Sequence, residues 1–141
     1  MRASAVRDAI IDAIEAATLD TKARAGDVIR VLRTAREPEA VTERCAMVRL
    51  IGGPDKSTHN TCDAFEVTYQ VSVFYQPSDD IEDRIASDVE RLYADLYNLH
   101  TANSDILDCR PGALAVSEDV GMVAARRDVW VLYRLDSSLV T

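Results

Sequence analysis

Few residues in this chain have the type and spacing for chemistry. His59-Asn60-Thr61-Cys62 sets an imidazole three residues from a thiol. Structural zinc needs four ligands, usually as two close pairs, and no second pair accompanies this one. A cysteine nucleophile needs a base within hydrogen-bond reach, and the only histidines are His59 and His100. Cys45 and Cys109 fall in β-type runs, where a thiol usually packs as a small hydrophobe. The chain contains no GxSxG, P-loop, GxGxxG or HExxH pattern. The expectation is therefore a non-enzyme with no catalytic residues, no metal and no cofactor.

Charge is the other chemical resource. Asp79, Asp80, Glu82, Asp83, Asp88, Glu90 and Asp95 form an acidic tract, expected on a helix start and its outer face. Calcium cages come from loops that offer backbone carbonyls, so this tract reads as a solvated or subunit-facing surface. Arg30, Arg33 and Arg36, with Arg44 and Arg49, make a basic cluster in the first half. On a strand, Arg30 and Arg33 point to opposite faces, which suits salt bridges to a partner better than one DNA-reading surface. The whole chain carries 16 Lys and Arg against 24 Asp and Glu, a net charge of −8, which disfavours sequence-independent wrapping of duplex DNA.

At 141 residues, the length suits one domain spanning 1–141. Hydrophobic residues at 48% can fill a core. No apolar run reaches the roughly 18–20 residues of a membrane span, and the N-terminal residues lack the apolar stretch of a secretory signal. Three cysteines at wide spacing do not form a disulfide framework, so reduced thiols in a cytosol are expected.

The elements that must position these residues follow from periodicity. Val6, Ala9, Ile10, Ala13, Ile14 and Ala17 make a helical stripe over Ser4–Ala17, ending near Thr18-Leu19-Asp20-Thr21. After a turn at Gly26-Asp27, Val28–Arg33 is a short strand and Arg44–Ile51 a second one. Gly52–Thr61 is rich in turn-formers and is expected to be an exposed, mobile loop. Phe65, Val67, Tyr69, Val71, Val73 and Tyr75 then hold a period of two for twelve residues, about 40 Å of strand, whose ends are expected to project past the core. Ser78-Asp79-Asp80-Ile81-Glu82 is a capping box with Asp79 as the cap. It opens a helix to about Leu99, striped by Ile81, Ile85, Val89, Leu92, Leu96 and Leu99. Asp105–Cys109 and Ala113–Glu118 are strand pieces around a Pro111-Gly112 turn, and Met122–Leu135 is a last long strand. The predicted architecture is α+β, in the order α-β-β-β-α-β-β. It has a mixed, mainly antiparallel sheet under two amphipathic helices.

This layout resembles the tail terminator (tail-completion) proteins of long-tailed bacteriophages, of the lambda minor tail protein type. The resemblance rests on the helix at Ser4–Ala17, the Arg-bearing strand Arg44–Ile51 and the polar loop Gly52–Thr61. It continues through the long strand Phe65–Gln76, the Pro77-Ser78-Asp79-Asp80 helix start and the closing strand Met122–Leu135. It implies a structural subunit that forms a ring, a hexamer by resemblance, at the head-proximal end of the tail tube. There the ring stops tube growth and joins tail to head. Its implied partners are copies of itself, the tail tube protein and the head-side connector. DNA passes through the lumen without specific binding, and no membrane is involved. The implied location is the virion tail or neck, assembled in the host cytoplasm. Predicted exposure and charge put axial contacts at Gly52, Gly53, Asp55, Lys56, His59, Pro111 and Gly112. Subunit contacts fall to Arg30, Arg33, Asp83, Glu90, Arg91, Arg126 and Arg127. The alternatives are another neck or head-completion protein, and a monomeric or dimeric α+β module that binds a small ligand or a protein.

Overall fold

The alternating run at 65–76 becomes the central strand of the sheet, and the other elements are arranged around it. The computed structural model describes residues 1–16, 29–34, 36–41, 43–57, 64–119 and 121–135. The predicted helix end at Thr18–Thr21, the Gly26-Asp27 turn, and both His59 and Cys62 lie outside them. In chain order the elements are α1 (Ala3–Ala16), β1 (Arg30–Val31), β2 (Cys45–Lys56), β3 (Ala64–Tyr75), α2 (Ile81–Tyr97), α3 (Leu99–Ala102), β4 (Ile106–Asp119) and β5 (Met122–Arg134). The strands form one sheet in the order β1-β2-β3-β5-β4, in which only the β1–β2 pair is parallel. This is the α+β class and the element order expected. No described helix is long and apolar enough to cross a membrane.

One face of the sheet carries the helices. Val67, Tyr69, Val71, Val73 and Tyr75 of β3 pack in one cluster with Val123, Ala125, Val129, Val131 and Tyr133 of β5. Val6, Ile10 and Ile14 of α1 and Ile85, Leu92 and Leu96 of α2 close that cluster from above. Each apolar side chain so buried contributes about 1.5–3 kcal/mol relative to exposure. The hydroxyl of Tyr69 donates to the Ala3 carbonyl at 2.9 Å, which ties the start of α1 to the middle of β3.

The other face is not left to solvent along its whole length. Toward the C-terminal end of β3 every residue from Val71 to Tyr75 is buried, so the alternation stops being an inside-outside pattern there. Phe74 meets Cys45, Met47, Met122, Ala124 and Val41, with Leu32 packed against them. Leu32 and Val41 therefore lie over this end of the second face. Arg126 of β5 holds Glu37 there, donating to it at 2.8 Å. The even-numbered parity of Phe74 in a nominally polar row carries this information, and it becomes interpretable only once the covering residues are seen.

Several boundaries differ from expectation for local reasons. β2 does not end at Ile51 but continues through Gly52–Lys56, paired to β3 by Gly52↔Thr68, Asp55↔Glu66 and Lys56↔Phe65. The turn-formers there produce two irregularities of register rather than a loop. Gly53, at φ +74°, makes this possible: a Cβ on it would stand 2.6 Å from the Glu66 carbonyl oxygen. Pro111-Gly112 likewise does not turn the chain. It sits inside β4, with Pro111 opposite Val129, and shifts the register before Leu114. Asp80 rather than Asp79 stands at the N-cap of α2. It makes no side-chain cap bond and instead accepts from the Ser78 hydroxyl at 2.7 Å. The helix stops at Tyr97, and Leu99 is buried from the short α3. β1 keeps only two residues of the predicted Val28–Arg33 strand.

One ion pair lies inside this apolar frame. Asp88 of α2, expected on the outer acidic face, is fully buried, and Arg44, expected in a partner-facing basic cluster, is 7% exposed. Arg44 Nη1 donates to Asp88 Oδ2 at 2.8 Å, and the Tyr75 hydroxyl donates to the same oxygen at 3.0 Å. The α2 periodicity explains the placement, since Asp88 shares a face with Ile85 and Leu92, three residues before it and four after. Burial first, then the charge and hydrogen bond of Asp88, push the Tyr75 phenol above its ordinary range.

Three outcomes follow from this packing. Val71→Asp or Tyr69→Asp places a carboxylate among residues under 5% exposed and is expected to cost about 4 kcal/mol or more. Circular dichroism should then show loss of the cooperative melt, and a preserved melt would contradict the strand assignment. Asp88→Ala removes the carboxylate to which Arg44 and Tyr75 both donate and is expected to cost about 3–5 kcal/mol by urea denaturation, while Arg44→Met with Asp88→Leu recovers most of it. Above pH ~10 the unfolded chain releases a Tyr75 proton that the folded chain retains. Stability should therefore be whole below pH ~10 and fall as pH rises. In Tyr75→Phe this fall should be shallower when followed by denaturation at stepped pH.

Candidate functional site

The chemically reactive groups of the described residues are not gathered in a cleft. Cys45 and Cys109 are free and buried. Burial pushes the Cys109 thiol up to about 12, with the Asp108 charge adding to it. Burial raises Cys45 as well, against a lowering by Arg30. Both thiols therefore stay protonated and poorly nucleophilic at neutral pH. His100 is exposed on α3, its Nδ1 3.2 Å from the Tyr97 carbonyl. Among the described residues no group of three or more His, Cys, Asp or Glu stands where it could hold a metal ion. The void beneath α2, about 20 Å³, is lined mainly by Val71, Val73, Val89, Leu92 and Leu96 and has room for about one water.

What the fold presents instead is rims. The two outer strands differ in how they are guarded. β1 pairs with β2 only at Cys45 and Ala46, so among the described residues β2 from Met47 onward has an unpaired edge. Among the described residues β4 is unpaired along its outer side. Large apolar side chains are exposed on both: Leu50 at 49% and Ile51 at 44% on β2, Val116 at 51% and Leu107 at 37% on β4. Unpaired N–H and C=O rows beside exposed apolar residues are the usual template for strand addition. Beside the β2 edge runs an open groove of about 400 Å³, lined by Ala3, Ser4, Arg7 and Thr34 as well as Met47–Leu50 and Tyr69.

A second groove, about 560 Å³, lies on the uncovered end of the second face between Glu66, Asp108, Arg110, Trp130 and Leu132. The Arg110 guanidinium stands 5.8 Å over the Trp130 ring and bonds Asp108 at 3.0 Å. On the helix side, Tyr93 and Tyr97 of α2 stack with centroids 6.2 Å apart, and both are exposed. The Arg127 guanidinium caps Tyr93 at 4.7 Å. Burial lowers the Arg127 guanidinium from its ordinary value, with Tyr93 acting the other way.

The residues singled out from sequence are distributed over these surfaces. Gly52, Gly53, Asp55 and Lys56 lie together on the far half of β2, and His59 is outside the described residues. Pro111 and Gly112 lie on β4, on the opposite side of the sheet, three strand spacings away at about 4.8 Å each. The structure does not bring the two groups to one tip. Arg30 and Arg33 are exposed beside β2, with Arg33 3.5 Å from Glu15. Asp83, Glu90 and Arg91 are exposed on α2, where Arg91 meets Asp95 at 3.5 Å. Arg126 is engaged within the chain, by Glu37 and by the Ser117 hydroxyl at 2.8 Å. Arg127, on the other face, is occupied by Tyr93. Sequence reasoning missed Leu50, Val116 and Trp130 as surface features. Each has the parity of an ordinary strand residue, and only the place of its strand in the sheet exposes it. A scan against protein-family models and a search of curated proteins found no match to this chain.

Proposed function

We propose that this chain is a structural assembly subunit of the tail-terminator kind. It closes a ring with copies of itself on the head-proximal end of a phage tail tube, halts tube growth there and offers a surface to the head-side connector. The observation that supports this reading best is the pair of partly open sheet edges. β2 and β4 lie toward opposite edges of one sheet, run antiparallel to each other across the sheet order, and both expose apolar side chains. A subunit with two different adhesive sides joins head to tail, and such contacts close into a ring when the rotation between copies allows it.

Charge is consistent with this role. The exposed acids of α2, among them Glu82, Asp83 and Glu90, are solvated rather than paired into a cation cage. A net charge of −8 disfavours adhesion of DNA moving past the subunit. Partners in this reading are the tube protein and a connector protein, and the location is the virion neck.

The test is negative-stain electron microscopy of the purified chain, alone and mixed with polymerising tail tubes. Rings capping one end of each tube, with elongation stopped, are expected. A chain that leaves tube length unchanged and decorates no tube end would overturn the reading.

A further inference from the structure

We infer that copies of this chain join by antiparallel pairing of the β4 edge of one copy, Val116–Asp119, with the β2 edge of the next, Met47–Leu50. This deepens the assembly reading above and rests on it for the existence of a self-contact.

Direction comes first. Passing from β2 through β3 and β5 to β4 takes three antiparallel steps, so β2 and β4 run oppositely. A second copy placed beside the first, with its helices on the same side, therefore sets its β4 antiparallel to β2 and continues the alternation of the sheet. No strand or face need be reversed.

Available length comes next. On β2 the side next to Cys45 and Ala46 is taken by β1, and beyond Leu50 the register breaks toward the Gly53-Pro54 bond. The free regular stretch is Met47–Leu50. On β4 the part before Leu114 is broken at Pro111-Gly112, and pairing ends at Asp119. Proline and bulges thus guard one part of each outer strand, as edges usually require, and leave the other part open.

Faces and charges then match in one register. With Leu50 opposite Val116, both apolar side chains fall on the helix side, because Leu50 pairs with Tyr69 and Val116 with Ala125, two core-facing residues. Arg49 falls opposite Ser117 and diagonal to Asp119, all on the second face. Asp119 and Glu118 come to the end of β2 where Arg30 and Arg33 are exposed beside β1. The groove that receives the incoming strand carries Arg49, which donates to Gln70 at 3.2 Å and bears no intrachain carboxylate contact among those described, and Arg7, 3.3 Å from Asp8. A basic acceptor edge thus faces an acidic donor edge, which supplies both attraction and register.

The contact is heterologous, and its rival is a two-fold pairing of β4 with β4. Two variants that each add one cysteine separate them, Leu50→Cys and Val116→Cys, at residues 49% and 51% exposed. Wild type under the same oxidant gives the background from native thiols. Mild oxidation is expected to give a disulfide-linked dimer in the mixture of the two variants and none above background in either alone. A dimer from Val116→Cys alone would overturn the proposal in favour of the two-fold contact. So would a mixture without cross-link at concentrations where light scattering shows assembly, and so would a chain that stays monomeric at its highest soluble concentration. Glu118→Lys with Asp119→Lys is expected to weaken self-association by about tenfold or more at low salt, with Arg49→Glu in the partner restoring part of it. Unchanged association in the double-lysine variant would also count against the register. The ring reading itself is judged separately by tube capping, so capped tubes without this cross-link would reject the edge contact and leave that reading in place.

Discussion

The helix α2 is held to its place on the sheet by a buried charge pair set in a largely apolar interface. Arg44 precedes the first residue of β2, Tyr75 ends β3 and Asp88 lies in the middle of α2, so the shared carboxylate oxygen fixes two strands and a helix at one point. Apolar packing alone tolerates sliding, since its energy depends on area rather than direction. A buried carboxylate does not, because a shift of an ångström or two draws Asp88 away from both of its donors in low dielectric. The side-chain exposures of 2% and 0% put this pair in that regime. Asp88 Oδ1 has no hydrogen-bond partner among the described residues, so the carboxylate is held through Oδ2.

The rest of the architecture depends on that placement. The helices α2 and α3 cover the first part of β4, where Ile106 and Cys109 are buried, and leave its residues 115–119 exposed. The same helices leave the second face to other cover, and among the described residues Leu32, Glu37 and Val41 close only one end of it. Exposure of the β4 edge and of the Trp130 groove is therefore a consequence of where the helices stop.

Much of the fold was legible in the sequence, and the parts that were not share a cause. Strict alternation at Phe65–Tyr75 and the helical stripe of Val6, Ile10 and Ile14 identify elements because side-chain period is a local property. Gly52-Gly53-Pro54 and Pro111-Gly112 were misleading because turn-forming residues also make bulges, and only the neighbouring strand decides between the two. Asp88 and Arg44 were assigned to the surface because charge is exposed by default, although the spacing of Asp88 from Ile85 and Leu92 already placed it on the inner face. Of the candidate contact residues, Arg126 and Arg127 turned out to be occupied within the chain, by Glu37 and Tyr93. Arg30 and Arg33 remain at the rim as expected. The edge residues Leu50 and Val116 carried no local signal, because being outermost in a sheet is a property of topology.

The chain contains one tryptophan, and it stands on the uncovered end of the second face beneath the Arg110 guanidinium. Its indole is partly solvated and far in the fold from the helix layer, so its emission is set by what touches that surface and little by repacking of the core. The protein thus carries a native optical reporter for one of its two faces. Docking there would change the emission colour and quenching by added iodide, whereas association through the strand edges alone would leave both nearly as they are in the free subunit.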